Sequence, residues 1–146
     1  MNFRLRLLIV VLGLAFGLTG LAACSENALT EKTPQAETIQ AFKAEPTTNN
    51  GNARRGVQVF GRLPCLTCHT LAGSGDTKAT APSLDKIGIN AATRLPGVTA
   101  AQYLRHAVTK PEDLNLPNFK NIMPGFGSSL TPTELEDLVA HLLSLN

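Results

Sequence analysis

The clearest pattern of apolar and polar positions lies at the C-terminal end of the chain. From Leu135 to Leu142, apolar residues recur at the i, i+3, i+4 and i+7 positions that form one face of a helix. Thr131 is a suitable N-cap, Pro132 suits the first helical turn, and Glu134 completes a T-x-x-E capping box. The pattern therefore predicts an amphipathic helix that begins after Thr131.

Two more helices are predicted upstream of this one. One begins after Thr99, which has Gln102 three residues further on, and it ends before Pro111. The other begins after Asn52 and runs towards Pro64. No stretch of the sequence shows the sustained alternation that is typical of a strand. We therefore predict one all-α domain over residues 53–146.

The segments between these helices are unusually long. Residues 71–98 and 110–130 are rich in Gly, Pro, Ser and Asn. Connections of that length are uncommon in a small domain unless something other than the chain holds them in place. This pattern favours a domain that is built around a bound group.

The N-terminal 23 residues have the pattern of an export signal. Two arginines within residues 1–6 precede an apolar run over residues 7–20, and small residues precede Cys24. The Leu-Ala-Ala-Cys sequence resembles the lipobox of bacterial lipoproteins, which implies a lipid on Cys24 as the first mature residue. An uncleaved membrane anchor and plain secretion are the alternatives. All three place the remainder outside the cytoplasm, on the periplasmic side or at the cell surface.

Residues 24–52 are predicted to be a flexible, lipid-anchored tether. The segment is rich in Thr and Asn, and it has too few apolar residues to bury a core of its own. As a random coil it would span about 30 Å. Ile39, Ala41 and Phe42 could make a short contact with a partner.

Charge argues against nucleic acid as a partner. The whole chain has a formal net charge of +2, and removal of Arg4 and Arg6 with the signal peptide lowers this to zero. No basic stripe remains that could neutralise phosphates.

Cys65, Cys68 and His69 form a C-x-x-C-H sequence, the attachment signal of c-type haem. Two thiols at this spacing can form thioethers with the two vinyl groups of one porphyrin, and the histidine then reaches the iron from one face. A redox dithiol, half of a zinc site and a disulfide are the alternatives. However, no βαβ pattern and no second Cys pair accompany the motif.

The iron of an electron carrier needs a ligand on its other face. Met123 is the candidate, because it lies in a predicted loop followed by Pro124 and Gly125 rather than on an apolar helix face. Core filler is the alternative role for a lone methionine. His106 and His141 are rival ligands, but both fall within predicted helices.

Residues 53–146 resemble a class I, mitochondrial-type monohaem cytochrome c. The resemblance implies a cytochrome c fold of about three to five helices around one covalently bound haem c. It also implies that the Pro82 carbonyl orients His69, that Met123 is the distal ligand, and that Gly56 and Phe60 cross the last helix. Ala81 and His141 depart from the family pattern. The stretches that carry the resemblance are residues 55–60, 65–69, 81–84, 123–126 and 130–134.

The chain has no Trp that could donate a hydrogen bond to a haem propionate. The candidates for that role are Arg94, Tyr103 and Lys120. The resemblance also implies an exposed haem edge, and charge could steer partners to it. Residues expected at that edge are Leu66, Thr67, Pro124, Gly125 and Phe126, and the candidate basic rim is Arg54, Arg55, Arg62, Lys78 and Lys86.

The resemblance implies a one-electron carrier rather than an enzyme, because an iron with two protein ligands has no open site for a small-molecule substrate. A membrane-tethered shuttle and a fixed monohaem subunit of a quinol-oxidising complex, such as alternative complex III, are both compatible with the sequence. Expected partners are a quinol-oxidising complex, a terminal oxidase or a photosynthetic reaction centre. The alternative function is a haem-based gas sensor or small peroxidase, which requires a weak or absent distal ligand.

Overall fold

Helices make up all the regular structure of residues 36–71 and 80–146, the part of the chain that the computed structural model describes. This confirms the predicted all-α fold class, with five α-helices and no strand in the described ranges. The signal peptide, Cys24 and Lys78 lie outside those ranges. The helices are α1 (Ala36–Lys43), α2 (Ala53–Arg62), α3 (Ile87–Asn90), α4 (Ala100–Thr109) and α5 (Pro132–Leu143). Three short 3-10 turns accompany them, at Cys65–Thr67, Ala91–Thr93 and Pro111–Asp113.

Among the described helices, the three longest have starts that are fixed by local hydrogen bonds, as the sequence predicts. Asn52 caps α2 by accepting a bond from the Arg55 backbone N–H at 3.1 Å. Both predicted capping boxes are formed, at the start of α4 and at the start of α5. In the second box, the Thr131 N–H donates to the Glu134 carboxylate at 2.9 Å, while the Glu134 N–H donates to the Thr131 hydroxyl at 3.3 Å. None of the helices in the described ranges has both the length and the apolar character that a membrane span requires.

Helices α2 and α5 cross in close contact. A Cβ atom on Gly56 would overlap the carbonyl oxygen of Asp137, so only glycine allows this approach. One turn later, the Phe60 ring meets the His141 ring edge to face, with centroids 5.1 Å apart. These contacts confirm the crossing that the family resemblance implies. They also show that His141 packs as a flat ring, and its burial lowers its pKa.

A buried carboxylate joins the same two helices. Asp137 of α5 accepts hydrogen bonds from the Arg55 guanidinium at 2.6 and 2.8 Å and from the Asn52 backbone N–H at 2.6 Å. These bonds, the one from Arg55 first, lower the pKa of Asp137 and keep it ionised. The pair therefore fixes the register of α2 against α5.

The prediction of a flexible tether is wrong for residues 36–52. Residues 36–49, which we call the strap, form α1 and an irregular segment that lies along α4. Phe42 of the strap is completely buried, and its ring centroid is 5.8 Å from that of Tyr103 and 4.0 Å from that of His106. The contact anticipated for Phe42 is therefore made within the chain. Residues 24–35 of the predicted tether lie outside the described residues.

Polar side chains of α4 hold the backbone of the strap. The Gln102 amide donates to the carbonyl oxygens of Lys43 and Glu45, at 3.0 and 2.8 Å. The Arg105 guanidinium donates to Pro46 O and Thr48 O, at 2.7 and 3.1 Å. The strap cannot bury a core of its own, but these bonds satisfy its carbonyl groups, and Phe42 supplies the apolar contact.

Candidate cofactor site

A cavity of about 320 Å³ lies between the helices and the two long connecting segments. Most of its walls are apolar side chains, which exclude water and suit a flat hydrophobic group. The walls include Phe60 and Leu63 of α2 and the segment after it, Leu104 and Val108 of α4, and Leu138 and Leu142 of α5.

The two thiols of the C-x-x-C-H motif line one side of this cavity. Cys65 begins the 3-10 turn that follows α2 and Cys68 comes directly after it, and both are free thiols rather than a disulfide. The Cys65 carbonyl accepts from the backbone N–H groups of Cys68 and His69, at 3.3 and 3.0 Å. This tight turn presents two thiols and an imidazole to one cavity. Burial raises the pKa of the Cys65 thiol.

His69 is oriented by a backbone carbonyl. Its Nδ1 lies 2.7 Å from the Pro82 oxygen, and because a carbonyl can only accept, Nδ1 must carry the proton. The lone pair of Nε2 is then available to a metal ion. Two backbone bonds hold the segments together: Ala81 N–H donates to Cys68 O at 3.1 Å, and Leu84 N–H donates to Thr70 O at 2.8 Å. The structure thus brings His69 and Pro82 together, as the resemblance implies.

Met123 lines the same cavity, from the segment 114–126 that we call the distal loop. Asn121 fixes this loop, since its amide donates to the carbonyl oxygens of Pro111, Glu112 and Leu114 at 3.1, 3.1 and 2.8 Å. The Phe126 N–H also donates to Val108 O at 2.9 Å. Neither rival ligand, His106 nor His141, lines the cavity.

The family model for cytochrome c matches residues 53–146. The chain belongs to the cytochrome c family. A search of curated proteins found no match for the chain. The strap lies outside the matched residues, although it belongs to the same structural unit as the described residues of the matched range.

The residues present fit the group that the family implies, a covalently bound c-type haem with iron. Cys65 and Cys68 supply the two thiols of the attachment motif, and His69 has its Nε2 free beside them. The apolar walls suit the porphyrin, and Met123 is a soft sulfur donor that suits haem iron. Membership of the family therefore agrees with the chemistry of the cavity.

The three candidate partners of the haem propionates, Arg94, Tyr103 and Lys120, all line the cavity of this cytochrome c. Two are cations, and the third is a phenol whose pKa is raised by burial, so that it stays a hydrogen-bond donor.

The surface around the cavity is more apolar than the sequence suggests. Leu66, expected at the haem edge, is 49% exposed, and Phe119 and Ile122 of the distal loop are 39% and 61% exposed. Sequence reasoning missed the last two, although they lie within four residues of Met123. Two of the expected basic-rim residues are already paired: Arg55 with Asp137, and Arg62 with Glu134 at 2.8 Å.

Sequence reasoning also missed a buried polar cluster on α4. Gln102, Arg105 and His106 are at most 3% exposed, and all three bond to the strap. Their i, i+3, i+4 spacing is a signal that could have been recognised, because it places three bulky polar side chains on one helical face. Such a face is usually solvated, whereas here the strap covers it.

Proposed function

We propose that this cytochrome c carries single electrons with an iron coordinated by His69 and Met123. The observation that carries the proposal is that these two side chains, from separate segments, line one cavity together with both thiols of the motif. Family membership supports haem-based electron transfer. The finer assignment of the distal ligand rests on the location of Met123 and on the positions of His106 and His141 outside the cavity.

The bound haem supplies an iron that changes between the ferrous and ferric states. The protein's residues set the conditions for that change. Pro82 holds His69 in one tautomer and one orientation, and a Met123 thioether favours the ferrous state and raises the reduction potential. The apolar walls exclude water. If His69 and Met123 both bound the iron, no open site would remain for a small-molecule substrate, and we therefore expect no enzymatic activity.

Carbon monoxide binding tests this ligand assignment. The wild-type ferrous protein should bind carbon monoxide slowly and weakly at neutral pH, because the gas must displace Met123. Met123→Ala should bind it rapidly. Rapid binding to the wild-type protein would instead favour the alternative function, a haem-based gas sensor or small peroxidase.

We further propose that the protein is a lipoprotein held at the outer face of a membrane through Cys24. The basic and apolar pattern of residues 1–23 and the small residues before Cys24 support this. Eleven residues lie between Cys24 and Ala36, where α1 begins, and a fully extended chain over that interval reaches at most about 43 Å. The haem domain would therefore stay close to the membrane.

A Cys24→Ser variant tests the anchor. It should release a soluble protein with its haem attached, while the wild-type protein should need detergent for extraction. Mass spectrometry of the wild-type protein should show a chain that begins at a lipid-modified Cys24. A mature chain that retains Arg4 and Arg6 would instead establish an uncleaved anchor.

The partners that we propose are larger redox proteins: a quinol-oxidising complex, a terminal oxidase or a photosynthetic reaction centre. A mobile shuttle and a fixed subunit, as in alternative complex III, differ in how firmly they are held. Purification of a quinol-oxidising complex after mild detergent extraction distinguishes a mobile shuttle from a fixed subunit. A subunit should remain at a constant ratio through a salt wash, whereas a shuttle should be lost.

A further inference from the structure

His106 is a buried titratable group that electron transfer does not use. It is completely buried on α4, and each of its ring nitrogens faces a carboxylate. Nδ1 lies 3.3 Å from Glu45 Oε1, and Nε2 lies 2.8 Å from Asp113 Oδ2. A ring protonated on both nitrogens donates to both carboxylates, and a neutral ring donates to only one. The ring thus joins two segments that do not otherwise share a side-chain bond among those described.

On one side the ring meets the strap. Glu45 follows α1, and its carbonyl accepts from the Gln102 amide at 2.8 Å. The buried Phe42 ring packs against the imidazole, with centroids 4.0 Å apart. Two other contacts therefore hold the strap against α4 close to the Glu45 side chain in sequence: the bond to the Glu45 backbone carbonyl and the packing of Phe42.

On the other side the ring meets the base of the distal loop. Asp113 ends the 3-10 turn Pro111–Asp113, which directly follows α4. The carbonyl oxygens of Pro111 and Glu112 in that turn, with Leu114 O just after it, accept the three hydrogen bonds of Asn121. Asn121 lies two residues before Met123. The His106 side chain bonds to Asp113 and so holds the turn whose backbone accepts the hydrogen bonds from Asn121 of the distal loop.

We propose that His106 is a positioning residue for Met123, and that it couples the strap to the distal loop through Glu45 and Asp113. This inference rests on the proposed ligation by Met123. Loss of the Asp113 or Glu45 bond leaves the turn less firmly held, so the loop opens more often. A competing ligand then reaches the iron in place of the thioether. Neither Glu45 nor His106 nor Asp113 lines the cavity, so their effect on ligation is indirect.

Imidazole binding to the ferric protein measures this opening directly. The variants Glu45→Ala and Asp113→Ala should each bind imidazole at least about fivefold more tightly than the wild type, which corresponds to about 1 kcal/mol. Asp113→Asn keeps an oxygen that can accept a hydrogen bond from His106. Its imidazole affinity should therefore stay close to that of the wild type. His106→Gln keeps one donor and should give an intermediate affinity.

Asn52→Ala is the matched control. It removes the cap of α2 and weakens the fold, but the hydrogen bond described for the Asn52 side chain is the one from the Arg55 N–H, and this bond involves neither the strap nor the distal loop. Its imidazole affinity should stay near that of the wild type. Because Glu45 and Asp113 act through one ring, the double Ala variant should show less than the product of the two single effects. Asn52→Ala combined with Asp113→Ala should show the full product.

Two results overturn the positioning role. One is an unchanged imidazole affinity in Glu45→Ala, and the other is an equal increase in Asn52→Ala at a matched loss of stability. Failure of the ligand assignment itself has a different signature. In that case the wild-type ferric protein lacks the weak far-red band of a thioether–iron bond, and Met123→Ala leaves imidazole affinity unchanged.

Discussion

Replacement of Gly56 by alanine tests the close contact between α2 and α5. An alanine Cβ would overlap the Asp137 carbonyl oxygen, and it would lie 2.7 Å from both the Asp137 carbonyl carbon and the His141 Cβ. Carbon atoms in good contact are about 3.5–4.0 Å apart, so α2 and α5 must separate by about 1 Å. The obstacle is backbone rather than a flexible side chain, and separation also strains the bonds from Arg55 to Asp137.

The structure sets the expected magnitude. Forcing an extra methyl group into a packed contact costs up to about 3 kcal/mol, and the better helix propensity of alanine offsets about 1 kcal/mol of this. We expect Gly56→Ala to lose about 2 kcal/mol, which lowers the melting temperature by about 8–16 °C. Gly61→Ala, in the same helix, is the control, since no neighbouring atom lies within 4 Å of the added Cβ. It should be neutral or gain up to about 1 kcal/mol.

Urea and thermal unfolding of the haem-loaded proteins, followed by circular dichroism, measures both variants. The unfolding free energies of Gly56→Ala and Gly61→Ala should differ by about 3 kcal/mol, although both variants make the same chemical change and the two sites are five residues apart. If the two variants had free energies of unfolding within about 0.5 kcal/mol of each other, the close contact at Gly56 would be refuted. Substitutions at unconstrained surface positions usually change stability by no more than that amount.

Two further predictions concern the strap and α5. Phe42→Ala should lower the free energy of unfolding by about 3–5 kcal/mol, because it empties a completely buried site. Urea unfolding measures this loss, and a value below about 1 kcal/mol would contradict the packing of the strap on α4. Hydrogen bonds from the Thr131 N–H and from Arg62 lower the pKa of Glu134 from 4.5 to about 2. The stability that ionised Glu134 contributes is therefore present above pH 4.5 and is lost as the pH falls towards about 2. Glu134→Gln should flatten the fall of the unfolding free energy across that range, and an unchanged slope would contradict the assignment.

The starts of α2, α4 and α5 could be predicted because each cap lies within three residues of the helix that it begins. Asn52, Thr99 and Thr131 act through their own neighbours, so the sequence contains the whole interaction. The thiols and histidine of the haem motif are likewise contiguous. Pro82 and Met123 differ, because their roles depend on chain that returns to the cavity from 13 and 54 residues away. Only the resemblance to a known family made them predictable.

The strap could not be predicted because its partners are distant and mostly backbone. Its carbonyl oxygens are bonded by Gln102 and Arg105, which lie more than 50 residues further along the chain. Carbonyl groups are present at every residue and give no sequence signal. Among the side chains of the strap that the structure describes, only Phe42 is completely buried, and one aromatic residue in a polar segment is a weak indication of packing.

We propose that the protein transfers single electrons at an iron bound by His69 and Met123. Spectroelectrochemical titration of the purified full chain is the most direct test of this proposal. The wild-type spectrum should change in a single reversible transition that fits one electron, with a weak far-red band in the ferric form that disappears on reduction. Met123→Ala should lose that band, and its midpoint potential should fall, because the thioether that favours ferrous iron is gone. A wild-type ferric protein without the band, with a midpoint potential that Met123→Ala leaves unchanged, would contradict this coordination.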